Sequence, residues 1–167
     1  GDKGDAPFLE NPQQMPGARW FPRARLNYAE NLLRRNDDET AIVFRGETLV
    51  NGRVSHRELR NEVSRFAQAL RAAGIRPGDR VAGYMPNLPG TIIAMLAAAS
   101  LGAVWSSCSP DFGVQGVIDR FGQIAPRILV AADGYFYNRQ TIDNRGRLRE
   151  LMDRLPSVET LVVVPYT

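Results

Sequence analysis

The chain is poor in the residues that most enzyme chemistry draws on. Its one cysteine, Cys108, excludes an internal disulfide. A thiol-only chain suits a reducing compartment, and the cytoplasm is the expected location. The one histidine, His56, lies far from Cys108 in sequence, so no Cys–His nucleophile pair is suggested and Cys108 reads as a small buried residue. No His, Cys and carboxylate cluster has metal-ligand spacing, so no metal site is expected. Neither G-x-G-x-x-G nor G-x-x-x-x-G-K-[ST] occurs, which removes the usual dinucleotide and phosphate loops. Long apolar runs are missing too. The most apolar window, Ile92–Leu101, is shorter than the ~18 residues of a membrane span, so no membrane partner is expected. The polar start, GDKGD from Gly1, is no signal peptide and reads as a cut or processed end. Lysine is almost absent: Lys3 stands alone, and arginine carries nearly all the positive charge. The net charge is +3 and the pI about 9.4, but the arginines are scattered and no basic–aromatic stripe accompanies them. A solvated basic surface is expected, without a nucleic-acid partner.

What is present is a patterned α/β chain. With 44% hydrophobic residues in 167, one sizeable core is expected. Residues 1–18 lack periodicity and read as an arm. Leu26–Arg35 reads as a short helix with Leu26, Ala29, Leu32 and Leu33 on one side. Thr40–Arg45 reads as a strand, with Thr48–Val50 returning after a turn at Gly46-Glu47. Ser55-His56-Arg57-Glu58 is a capping box, and the apolar residues Leu59, Val63, Phe66, Ala67, Leu70 and Ala73 follow at helical spacing up to Gly74. Strands are then expected at Arg80–Tyr84, Ala103–Ser107, Arg127–Ala132 and Thr160–Val164. Helices are expected between them at Pro89–Leu101, Val114–Ile124 (stopped by Pro126) and Arg145–Leu155. This alternation predicts an α/β fold: a parallel sheet of βαβ units with flanking helices.

In such a sheet ligands gather where parallel strands end. Three turns share that edge: Met85-Pro86-Asn87, Cys108-Ser109-Pro110-Asp111 and Asp133-Gly134-Tyr135. The second admits two readings. Its hydroxyls and backbone N–H groups suit an anion near a helix start, or Ser109, Pro110 and Asp111 turn the chain and cap the next helix. The run Tyr135-Phe136-Tyr137 either stacks on a planar ligand or fills a loop over the sheet edge. Asp37-Asp38-Glu39 reads as a solvated turn rather than paired catalytic carboxylates, and His56 as an exposed residue in a helix's first turn.

Several segments, taken together and in order, resemble one family. They are Trp20-Phe21-Pro22 with Leu26-Asn27-Tyr28-Ala29-Glu30-Asn31; Ser55-His56-Arg57-Glu58-Leu59; Gly78-Asp79-Arg80-Val81; and Leu101-Gly102-Ala103-Val104 continuing through Trp105-Ser106-Ser107-Cys108-Ser109-Pro110-Asp111-Phe112-Gly113. The chain is similar over Trp20 to Val164 to the AMP-forming acyl-CoA synthetases, and the last segment favours the branch that activates acetoacetate. The resemblance implies a ligase that makes an acyl-adenylate from ATP and a carboxylate, releases pyrophosphate, and passes the acyl group to coenzyme A, with Mg2+ accompanying ATP. It implies an amino-terminal portion of such an enzyme: an arm and cap segment over 1–45 and the first, incomplete α/β subdomain of the adenylation domain over 46–167. The family's phosphate loop, ribose-holding aspartate and carboxy-terminal lysine find no counterpart here, so no catalytic residue is assigned and the segment alone is expected to be inactive. The expected partners are the small-molecule substrates and the remainder of the same polypeptide, with self-association through an exposed apolar face. By position the resemblance places the coenzyme A nucleotide against Ser109, Pro110 and Asp111, then Tyr137, Asn138 and Arg139. The family tends to read Tyr-Asn-Gly-Lys where this chain has Tyr137-Asn138-Arg139-Gln140, so the positive charge is moved by one residue. The alternatives are a stand-alone nucleotide- or coenzyme A-binding module of the same fold, or a structural element.

Overall fold

Two strands are buried on both sides, and the rest of the chain is arranged around them. Ile128–Ala132 (β7) is buried throughout, and Arg80–Tyr84 (β5) is buried after its first residue. Such strands sit centrally in parallel sheets, where helices cover both faces. The computed structural model describes residues 1–47 and 50–167. It runs β1 (Leu9–Glu10), β2 (Arg19–Trp20), α1 (Tyr28–Leu32), β3 (Thr40–Arg45), β4 (Asn51–Ser55), α2 (His56–Ala72), β5, α3 (Pro89–Ser100), β6 (Val104–Cys108), α4 (Val114–Phe121), β7, β8 (Gly134–Tyr137), β9 (Gln140–Asp143), α5 (Arg145–Arg154) and β10 (Thr160–Val164). The main sheet has the order β10-β7-β5-β6, and all its pairs are parallel.

Side-chain alternation splits the core in two. Val81, Ile128, Val130 and Ala132 pack against Leu59, Val63 and Leu70 of α2 and Ala94, Leu96, Ala97 and Ala98 of α3. Ala82, Tyr84, Leu129 and Ala131 pack against Val117 and Phe121 of α4 and Leu148 and Leu151 of α5. Gly83 makes room for Trp105 on the neighbouring strand: a Cβ there would lie 2.5 Å from the indole ring. At the amino-terminal end of the sheet, Arg127 binds Glu159 through two nitrogens (2.9 and 2.7 Å) and donates to Asp79 at 2.9 Å and the Gly74 carbonyl at 3.0 Å.

The capping box closes as its residues require. The Glu58 N–H donates to Ser55 Oγ at 3.2 Å, and the Ser55 N–H donates to the Glu58 carboxylate at 2.7 Å. Helix α2 ends in a Schellman closure. Gly74 takes φ +80°, its N–H donates to the Arg71 carbonyl, and the Ile75 N–H donates to the Leu70 carbonyl. Ile75 and Leu70 are both buried beside that closure.

Several expectations are corrected. The first helix is confined to Tyr28–Leu32 by its Asn27 N-cap; Ala29 is buried, whereas Leu26 and Leu32 face outward. The described return strand of the first hairpin is Asn51–Ser55, since β3 pairs from Arg45↔Asn51 to Thr40↔Ser55; the expected Thr48–Val50 falls on Thr48 and Leu49, which lie outside the described residues. The arm is not wholly irregular: Leu9–Glu10 pairs with Arg19–Trp20. Helix α4 stops at Phe121 with Gly122 as its cap, before Pro126, and Ala125 takes φ +45°. His56 is half-buried rather than exposed, and its N–H donates to the Glu39 carbonyl. The acidic turn is solvent-facing as expected: Arg35 pairs with Asp37 and Glu39, and Arg57 with Asp38.

The capping box yields a pH-dependent expectation. Ser55→Ala should cost about 1 kcal/mol in urea unfolding. The backbone N–H and hydroxyl of Ser55 hold the Glu58 carboxyl below its usual value. A depressed folded value stabilises above the unfolded one and is lost as pH falls through it. The penalty of Glu58→Ala should therefore be complete at neutral pH and shrink below roughly pH 4.

Candidate functional site

The strand order places a switch point at β5. Strand β6 lies on one side of β5 and β7 on the other, so the chain leaves the sheet in opposite directions from their carboxyl ends. Open α/β sheets bind ligands in the crevice above such a point. Here that position holds a cleft of about 370 Å3, lined by Met85, Pro86, Asn87, Thr91, Ser107, Cys108, Ser109, Pro110, Asp111, Tyr135, Phe136 and Tyr137. Its volume falls in the ~300–1,000 Å3 range of small-molecule sites. All three turns expected from the sequence contribute to it. A larger groove of about 740 Å3 lies between α1 and α2, away from the strand ends, and nothing in the strand topology marks it.

The Ser109–Asp111 turn is closed internally. Ser109 Oγ donates to Asp111 at 3.0 Å, and the Phe112 N–H donates to the Ser109 carbonyl at 3.2 Å. The turn does not cap the next helix. Gly113 is the N-cap of α4 and makes no side-chain capping bond, which corrects that half of the structural reading. Ser109 and Asp111 are exposed and Pro110 is buried.

The turn rests on buried and half-buried polar groups that sequence patterning missed. Tyr84, the last residue of β5, is fully buried, and its hydroxyl lies 2.7 Å from the Pro110 carbonyl and 2.9 Å from the Phe112 carbonyl. Burial raises its pKa, against the pull of the nearby Arg147 guanidinium, so at neutral pH it is a phenol that donates. Arg147, in the first turn of α5, donates to the Pro110 carbonyl at 3.3 Å and to Asn144 Oδ1 at 3.4 Å. Asn144 is fully buried; its backbone N–H donates to the Asp133 carbonyl, and its Nδ2 has no protein partner among the described residues. Asp133 in turn accepts the N–H groups of Tyr166 and Thr167 at 2.8 and 3.2 Å. A tyrosine ending a strand looks like core in sequence. Only its reach across β6 shows that its hydroxyl is used.

The expected loop after β7 is a hairpin. Strands β8 and β9 pair from Gly134↔Asp143 to Tyr137↔Gln140, and Asn138 and Arg139 form the tip with φ of 49° and 62°. Positive φ at both central residues is the type I′ turn, which favours Asn followed by Gly. Arg139 thus occupies a position where a side chain costs on the order of 1 kcal/mol. Both tip residues are exposed, and neither lines the cleft, although the adjacent Tyr137 does. Arg139 has no carboxylate partner among the described residues. The aromatic run divides its roles: Tyr135 is buried, Phe136 meets Tyr166 edge-on at 5.2 Å, and Tyr137 is 58% exposed.

The profile of the AMP-binding enzyme family matches residues 29–166. The chain belongs to that family. It is 52% identical over 166 residues to an acetoacetyl-coenzyme A synthetase of Rhizobium meliloti, covering 99% of this chain and 25% of that protein. It is 45% identical over 151 residues to an acetoacetyl-CoA synthetase of Macaca fascicularis, covering 88% of this chain and 22% of that protein. The solved structure of an acetoacetyl-CoA synthetase from Streptomyces lividans superposes with a TM-score of 0.88 at 45% identity, covering 95% of this chain and 25% of that one. The chain therefore spans about a quarter of the length of the relatives it matches.

Among the described residues, no group of three or more His, Cys, Asp or Glu side chains is gathered for a metal. No helix is long and apolar enough to cross a membrane among the described residues. Cys108 is buried, and burial pushes its thiol up to about 11 against the opposing charge of Arg120. The nucleophile is the thiolate. Alkylation by iodoacetamide at pH 7.5, followed by mass spectrometry, should be at least about 100-fold slower in the folded chain than in the unfolded one.

Proposed function

We propose that this chain is the amino-terminal portion of an acetoacetate–CoA ligase and that its sheet-edge cleft supports the nucleotide of coenzyme A. The parent enzyme would join ATP and acetoacetate to an acyl-adenylate with release of pyrophosphate, then transfer the acyl group to the coenzyme A thiol. The segment supplies no group for adenylation. The sequence carries no G-x-x-x-x-G-K-[ST] phosphate loop, and no metal-holding group of side chains is gathered among the described residues, so that step is assigned to the remainder of the polypeptide.

One observation carries the binding half of the proposal. The two stretches assigned to the nucleotide, 109–111 and 137–139, lie far apart in sequence, and the fold brings Ser109, Pro110, Asp111 and Tyr137 to one cleft, with Asn138 and Arg139 next in the chain at the hairpin tip. The division of chemistry is coherent. Tyr137 offers an exposed ring for adenine, Ser109 and Asp111 offer polar atoms for ribose or base edges, and Arg139 offers an uncommitted guanidinium for the 3′-phosphate. The left-handed backbone at Arg139 fits this assignment. The tip keeps a charged side chain where glycine would be relaxed, so the shift of the basic residue by one position still leaves a cation at the hairpin end.

Titration of the isotopically labelled chain with coenzyme A should give saturable amide shifts at Ser109–Asp111 and Tyr137–Arg139, weaker with dephospho-CoA. Arg139→Ala should weaken coenzyme A binding about tenfold while leaving dephospho-CoA affinity nearly unchanged. Absence of any shift up to millimolar coenzyme A would refute a preformed nucleotide site on this segment.

A further inference from the structure

We propose that Tyr84 and Arg147 are positioning residues that hold the Ser109–Gly113 turn in its ligand-facing form by donating to the Pro110 and Phe112 carbonyls from beneath. This proposal rests on the reading of that turn as part of the coenzyme A site, and extends it to residues that do not touch the ligand.

The donor count sets the geometry. A phenol has a single proton, yet two carbonyls lie within 2.7 and 2.9 Å of the Tyr84 oxygen. The proton serves one of them at a time. Arg147 Nη1, 3.3 Å from the Pro110 carbonyl, supplies the second donor. With the phenol turned to Phe112, Arg147 keeps Pro110 satisfied, and both carbonyls are held together. These donors reach the turn from two different elements. Tyr84 comes from the carboxyl end of β5, in register with Cys108 of β6. Arg147 comes from α5, and Asn144 Oδ1 holds it from behind. Asn144 is itself fixed through Asp133, which closes onto Tyr166 and Thr167. The turn is therefore fastened to the switch point and to the segment after β10, while its own exposed bonds are the short-range ones within Ser109–Phe112.

Packing alone does not require this hydroxyl. The Tyr84 ring fills the core between α4 and α5, and phenylalanine would fill the same space. What Tyr84→Phe removes is the donor to Phe112, leaving that carbonyl without a protein partner and the turn free to rotate. In Arg147→Met the long apolar stem is kept and the donor to Pro110 is lost, whereas Arg147→Lys keeps one donor.

Two readouts on the full-length synthetase carrying this segment decide the matter. In hydrogen exchange, Tyr84→Phe and Arg147→Met should accelerate Phe112 and Gly113 about five- to tenfold, with β5 and β7 unaffected. In steady-state kinetics, both should raise KM for coenzyme A about fivefold and change kcat less than twofold, with Arg147→Lys retaining more than Arg147→Met. Unchanged exchange at 109–113, or exchange that rises equally across the whole sheet with KM unmoved, would overturn the positioning role. Arg139→Ala in the same assays separates the two claims. If it also leaves KM for coenzyme A unchanged, the nucleotide-site reading fails, while the exchange data still decide whether Tyr84 and Arg147 hold the turn.

Discussion

Parallel pairing of strands buried on both faces is the constraint on which the rest of this structure depends. Parallel strands cannot be joined by tight turns, so each must return through a crossover, and the helices of those crossovers cover the faces. β7 shows the consequence in its sequence, five apolar residues without alternation. β5 shows it in Gly83, which yields its side-chain space to Trp105. The same constraint sends every carboxyl end of the sheet to one edge. The cleft at that edge follows from how the core is built.

The two ends of the sheet are treated differently. At the amino ends, Arg127 gathers Asp79, Glu159 and a helix-terminal carbonyl into a charged clasp that is only partly exposed. At the carboxyl ends, the buried polar groups are aimed at a turn instead. Tyr84 and Arg147 spend their hydrogen bonds on backbone carbonyls of residues 110 and 112, which leaves the side chains of Ser109 and Asp111 facing outward. Backbone support of this kind fixes a loop without engaging its side chains.

Membership in the AMP-binding enzyme family accounts for the order of elements and for the similarity to acetoacetyl-CoA synthetases across nearly the whole chain. The chain spans about a quarter of those relatives' length. The cleft is lined by the buried Cys108 thiol with its raised pKa, by polar atoms that include the Asp111 carboxylate, and by the exposed ring of Tyr137. A thiol held in its neutral form is not an activated nucleophile.

Local pattern alone determined much of this protein. The capping box at Ser55–Glu58, the glycine closure after α2, and strands at Arg80–Tyr84 and Thr160–Val164 stand where the sequence predicts them, because each depends on neighbours within a few residues. Elements governed by distant contacts were misplaced. The return strand at Asn51–Ser55 takes its register from β3, and Leu26 and Leu32 face outward because only one edge of α1 meets the core. The three edge turns were legible as candidates, since βαβ alternation implies where strand ends lie. The hairpin at Asn138-Arg139 was not, because its tip lacks the Asn-Gly pair that signals a type I′ turn. Tertiary structure alone decided the strand order that puts β6 and β7 on opposite sides of β5. It alone joined Tyr84, Pro110, Phe112, Asn144 and Arg147 into one network, since residues up to 63 positions apart carry no shared periodicity and meet only when the sheet closes.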